Sequence, residues 1–390
     1  MINSKIVFLL FFIFCYSTMA LADKAVQKPS KTIQEVSTDF SDIKSIGSDF
    51  NIGKMHTLSL KMQNKVIPVI LGDRIIFLGK DNILYSVNKQ NLEQYYWKLS
   101  LPKNEKLYRA GVVYAQNVII CAVDDNVYGI DAETGQIKWE KSLISVIAGS
   151  PIIVHDRLII VTVDNYLYSF NLIDGSLLWS SQESIPEVKS YDSFSAASSG
   201  DIVVLSFSNG KVVAFNSVNG LKMWESSVSD SLDSNIGFTY GVFLSATKQN
   251  VVVVDKYRNI LDIDIESGKR KWSKKLNVQG ISGIEENYVI AVIDDKLASL
   301  DINTGEFLWQ YDLLQCKKSK AQWWSIPTVV NNSVLVIGSN GCVILVDAKS
   351  GTLKSVNYVL PSSYYVPVFV NSSMYIITSK DKVVVFDQRI

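Results

Sequence analysis

The residue types that most often carry chemistry are scarce in this chain and poorly spaced for it. Histidine occurs twice, at His56 and His155. No His-Glu-x-x-His or Cys-x-x-Cys spacing gathers zinc ligands, no Gly-x-Ser-x-Gly elbow presents a nucleophile, and no Walker or dinucleotide glycine loop offers amides to a phosphate. Acidic pairs at Asp124-Asp125 and Asp294-Asp295 have the composition of a calcium or acid-base site. They recur in step with Asp81-Asn82, Asp164-Asn165 and Asp381, however, which assigns them to hairpin turns. The basic runs Lys269-Arg270-Lys271 and Lys317-Lys318-Ser319-Lys320 are short and interrupted, so they read as solvated faces. The expectation is a chain with no catalytic residues, no bound cofactor and no metal.

The elements that would position any site must come from a large, charge-balanced core. The 390 residues are 47% hydrophobic and carry 38 basic against 38 acidic side chains, which excludes a disordered chain and removes the electrostatic argument for nucleic acid as a partner. Residues 1–22 have the form of an export signal, with Lys5, the apolar run Ile6 to Cys15 and the small-residue site Ala20-Leu21-Ala22. Cys15 as a lipid acceptor is the less favoured reading, because Phe12-Ile13-Phe14 stands where small residues are wanted. Residues 23–54 are polar and are expected to be a flexible tether. Three cysteines remain, Cys121, Cys316 and Cys342, enough for one bridge and one thiol.

One pattern dominates residues 55–390. A short β-rich run ends in Asp or Asn, Gly follows four residues later and Trp four after that. The instances are Asp131-Gly135-Trp139, Asn171-Gly175-Trp179, Asn216-Gly220-Trp224, Asp264-Gly268-Trp272 and Asp301-Gly305-Trp309. A first copy runs from Asn88 to Trp97 without the Gly, a seventh has Asp347 and Gly351 but Ser355 in the Trp position, and an eighth stops at Asp387. Eight units give a period of about 42 residues, in the range of propellers and related arrays. Each unit holds four Val-, Ile-, Tyr- and Phe-rich runs separated by Asp, Asn and Gly. The expected fold is therefore all-β: an eight-bladed propeller of four-stranded antiparallel blades with little helix. Asp or Asn is expected to accept turn amides, Gly to take positive φ, and Trp to wedge between sheets. The eighth unit has only three runs, so Thr57 to Lys61 is expected to supply its fourth strand and close the ring.

The repeat, as in Asp131-Ala132-Glu133-Thr134-Gly135-Gln136-Ile137-Lys138-Trp139, resembles that of the PQQ-like propellers related to pyrroloquinoline-quinone dehydrogenases. Within that superfamily the chain resembles the BamB family, through its export signal, its eight units and the seventh unit's loss of Trp. The resemblance implies a non-catalytic scaffold of the outer-membrane β-barrel assembly machinery, in the periplasm and associated with the outer membrane. Its implied partners are periplasmic domains of the barrel-forming subunit and unfolded outer-membrane protein clients. The family's partner-contacting loop follows the third-blade Trp, which maps contacts to Val188, Lys189 and Tyr191, with Asp230 and Asp233 in the next interblade loop. Trp323, Trp324 and Tyr364 lie outside the repeat positions. In a four-stranded meander, interblade loops share a face with the turns between second and third strands, so these aromatic residues are added to the docking surface, with packing over the channel mouth as the other reading. The same geometry lets Cys316 approach Cys342. The alternative is an exported PQQ-type propeller oxidoreductase or quinone-binding sensor. Enzymes of that kind are usually longer and carry adjacent cysteines, and no Cys-Cys occurs here.

Overall fold

Long buried runs such as Val118–Val123, with no exposed residue anywhere along them, suit strands covered on both faces. The computed structural model describes residues 52–59, 66–102, 109–184, 195–207, 211–227, 243–246, 249–255, 257–284, 287–316, 321–330, 332–359, 365–370, 373–378 and 382–388. They form eight four-stranded antiparallel sheets, an eight-bladed propeller. Seven blades are simple meanders: one, Val69 to Ser100; two, Ala110 to Ser142; three, Ile152 to Gln182; four, Ala196 to Ser227; five, Phe243 to Lys274; six, Val278 to Asp312; and seven, Thr328 to Tyr358. The single helical element among the described residues is the 3-10 turn Leu313–Gln315.

Blade eight takes three strands from the C-terminal end, Tyr365–Val370, Ser373–Thr378 and Lys382–Gln388, and its fourth from Ile52–Ser59. Ring closure by an N-terminal strand is as expected, but the strand starts earlier than Thr57 and takes in residues 52–54 of the expected tether; Leu60 and Lys61 lie outside the described residues. Register explains the shift: Met55 lies opposite Phe386 and Ser59 opposite Lys382, so the last strand is already matched when residue 59 is reached.

The turn between third and fourth strands shows what the repeated Asp does. In blade two the Asp131 carboxylate accepts from the amides of Glu133 (3.1 Å) and Thr134 (2.9 Å), the Asp131 carbonyl accepts from the Gly135 amide (2.9 Å), and Gly135 sits at φ +72°. Asp301 and Asp347 repeat the arrangement. The Lys138 ammonium, and then the Thr134 amide, hold the Asp131 carboxyl down to about 2. These aspartates are fixed turn acceptors.

Tryptophan joins one blade to the next. The indole N–H of Trp97 donates to the Ala132 carbonyl, Trp139 to Leu172, Trp179 to Ser217, Trp224 to Ile265, Trp272 to Ile302 and Trp309 to Ala348, at 2.7 to 3.2 Å. Each ring lies against the next blade's turn glycine so closely that a Cβ on Gly220 would stand 2.6 Å from Trp179. The residue opposite each Trp on the third strand is small, Ser86, Gly129, Ser169, Ala214 or Ser299, with one exception, Asp262. Blade seven reverses the volumes: Ser355 stands where Trp is expected, and its partner is Leu345. Both are buried.

Cys316 and Cys342 are bonded, with Cα atoms 6.5 Å apart, tying the segment after blade six to the third strand of blade seven. Cys121 is a thiol inside blade two, where burial pushes it up to about 12 and makes it a poor nucleophile. Replacing Cys316 and Cys342 together by serine is expected to lower the unfolding free energy by about 3 kcal/mol, the entropy of the loop the bond closes. Urea titrations of the oxidised protein and the double variant check this, and coincident curves would show that the bond adds no stability.

Candidate docking face

Interblade loops run over the turns between second and third strands, and repeated backbone bonds hold them there. Leu101 donates to the Asn82 carbonyl, Leu143 to Asp125, Glu183 to Asn165, Leu313 to Asp295 and Val359 to Gly341, at 2.7 to 3.0 Å. Those turns use the left-handed region, with φ of +61° at Asn82, +52° at Asp124 and +59° at Asn165. Short polar side chains tolerate that conformation, which accounts for the recurring Asp and Asn. The pairs Asp124-Asp125 and Asp294-Asp295 are thus turn residues.

The loop carrying Val188, Lys189 and Tyr191 lies outside the described residues, as do Asp230, Asp233 and Tyr364. Its two anchors are described. On the blade-three side the Glu183 amide donates to Asn165 and the Asn165 side chain donates to the Ser184 carbonyl at 2.8 Å. On the blade-four side the Ser206 amide donates to the Ser195 carbonyl and the Ser206 hydroxyl accepts from the Ser195 amide. The described ends of this segment thus lie at the second-to-third-strand turn of blade three and beside the second strand of blade four.

The two adjacent tryptophans separate. Trp323 is half-buried against the cluster of Leu335, Ile337, Val359, Met374, Ile376 and Val384, which joins blades seven and eight. Trp324 corrects the expectation of a docking anchor: it is 6% exposed, packed with Leu313, Cys316 and Val336, and bridged to Gly338. The bridge aims its ring inward, where its indole N–H has no partner. Lys269-Arg270-Lys271 is partly structural, since Arg270 donates to the Ser227 carbonyl and Lys271 to that of Gln249. His155 occupies a turn at φ +56°, 3.6 Å from Asp201 of the next blade.

One surface feature escapes the sequence reading. Ile173, Leu177 and Leu178 of blade three and Val218, Leu221 and Met223 of blade four are exposed on consecutive blades. They lie at and just after the third-to-fourth-strand turns, at the strand ends away from the interblade loops. The signal was available: equivalent turn positions elsewhere hold Glu133, Glu266, Asn303 and Lys349.

Known proteins match this architecture. The family described as "Outer membrane protein assembly factor BamB" matches residues 93–237 and 242–389. The assembly factor BamB of Bordetella pertussis is 23% identical over 294 residues, 73% of each chain, and that of Shewanella oneidensis 21% over 281 residues, 68% of each. Among solved structures, BamB from Moraxella catarrhalis superposes with a TM-score of 0.66 at 15% identity, covering 87% of this chain and 99% of that one. A quinohemoprotein alcohol dehydrogenase from Pseudomonas putida shares the fold at a TM-score of 0.60 and 12% identity, covering 87% of this chain and 76% of that one.

Proposed function

Because the chain belongs to the BamB family of outer-membrane protein assembly factors, we propose that it is a non-catalytic scaffold, working by docking its interblade-loop face onto periplasmic domains of the barrel-forming subunit. In this reading it sits in the periplasm at the outer membrane and assists insertion of β-barrel proteins. The observation that carries the reading is the family match, which runs from the last strand of blade one to the last strand of blade eight. The internal chemistry agrees with it. The repeated aspartates accept their own turn amides and the tryptophans bond the next blade, so the repeat residues build the ring and leave the loops to make contacts. The shared fold with a quinohemoprotein dehydrogenase at 12% identity concerns architecture and adds nothing to the oxidoreductase alternative.

The docking loop is taken as Val188, Lys189 and Tyr191, supported by its anchors on the Asn165 turn and Ser206. Pull-down against the purified periplasmic domains should recover a complex. Val188→Glu and Tyr191→Glu should each weaken it at least tenfold, because a buried apolar or aromatic contact becomes an unpaired charge, while the melting temperature stays unchanged. Unaltered affinity in both variants would move the contact to another loop. No complex at all, together with quinone binding, would favour the enzyme reading.

A further inference from the structure

Asp262 breaks the rule that a small, uncharged residue faces each tryptophan. It stands opposite Trp272 in blade five, and the Trp272 indole bonds the Ile302 carbonyl of blade six, so its carboxyl lies at the joint between those blades. The side chain is fully buried. One carboxyl oxygen accepts from the Asn250 amide at 2.6 Å, and the other, also buried, has no partner.

We propose that Asp262 is a proton-controlled latch on the blade five to blade six joint, closed while the carboxyl is neutral and loosened when it ionises. The elements around it supply little to hold a charge. The preceding strand places Val252 opposite Asp262 and Asn250 in hydrogen-bond reach, the outer strand places Trp272 opposite it, and Val252 and Trp272 pack in one apolar cluster with Val289, Leu300 and Ile302 of blade six. The charged groups nearby are Lys271, which lies 3.5 Å from Asp264, and Asp264 itself; Glu306 of blade six is engaged by Lys274 at 2.6 Å. Lys271 favours the ionised form and Asp264 opposes it. Burial is the largest influence; it outweighs the Asn250 bond, Lys271 and the Ile263 backbone amide, and pushes the carboxyl up to about 7. When the joint opens, water reaches the carboxyl and its affinity for the proton falls back towards the ordinary 3.8. The closed joint therefore holds a proton that the open one releases. Opening is hardest below about pH 4, becomes easier by up to about tenfold per unit as pH rises towards 7, and changes little above that.

Hydrogen exchange on the full-length protein at pH 5, 6, 7 and 8, corrected for the intrinsic pH dependence of exchange, tests the latch. Protection of the segments 260–274 and 288–301 should fall more than tenfold between pH 5 and 7, while 157–182 in blade three, where the facing residue is Ser169, should stay level. Asp262→Asn, which keeps the shape, and Asp262→Ser, which installs the residue found at positions 86, 169 and 299, should both remove the pH dependence. Protection independent of pH in the unmodified protein would overturn the proposal, as would the same pH dependence persisting in the serine variant.

Discussion

Gly220→Ala is expected to lower the unfolding free energy by about 3–4 kcal/mol, whereas Gly200→Ala should cost only about 1–2 kcal/mol. Both glycines have positive φ, +73° and +56°, so both substitutions pay the backbone cost of placing an L side chain there. They differ in what the new methyl group meets. At Gly200 nothing lies within 4 Å, while at Gly220 the methyl would stand 2.6 Å from two atoms of the Trp179 ring. That ring cannot swing aside cheaply, because its N–H is bonded to the Ser217 carbonyl at 2.8 Å and the contact spans two blades. The difference between the variants thus isolates the interblade clash from the conformational cost. Urea titrations with unchanged slope are the measurement. Equal losses would mean that the ring is not held by its neighbour, and the account of how blades are joined would fail with it.

What was legible in the sequence is what local chemistry decides. The glycine four residues after Asp needs positive φ within its own turn, and the Trp four beyond needs only that glycine's missing side chain, so both stand out from a single chain. Ring closure was legible because three strands cannot finish a four-stranded blade, though the register with Lys382–Gln388 that places Ile52–Ser59 is a matter of long-range pairing. The choice between packing and docking for Trp324 turned on the same kind of information. Its direction follows from an isolated bridge to Gly338, and no repeat spacing encodes that. Asp262 was hidden differently: in Ile260-Leu261-Asp262-Ile263 it reads as the polar member of an alternating strand, and its burial follows only from blade six covering that face. The expected contact loop could be named from its position after Trp179, but affinity belongs to the partner as much as to the chain.

Trp179→Ser should cost about 3–5 kcal/mol, since it empties a large site and removes the bond to Ser217. Ser169→Leu, directly opposite, should cost about 2–3 kcal/mol by forcing a branched side chain against that indole. Blade seven indicates that the two changes together are not additive. There the same pair of positions holds Leu345 and Ser355, both buried, so the third strand supplies the volume that the outer strand lacks. Transplanting this pair into blade three should give a double variant more stable than Trp179→Ser alone, with a favourable coupling of about 2 kcal/mol. Part of that gain comes from Ser169 itself, whose buried hydroxyl has no partner and is removed by the leucine. Recovery should stop short of the original stability, because the leucine fills space within blade three while the surface of Gly220 on blade four stays uncovered. Denaturation of the four proteins of this cycle measures the coupling. Strict additivity would show that Leu345 and Ser355 are unrelated substitutions, and that the seventh blade is held to the eighth by something other than exchanged volume.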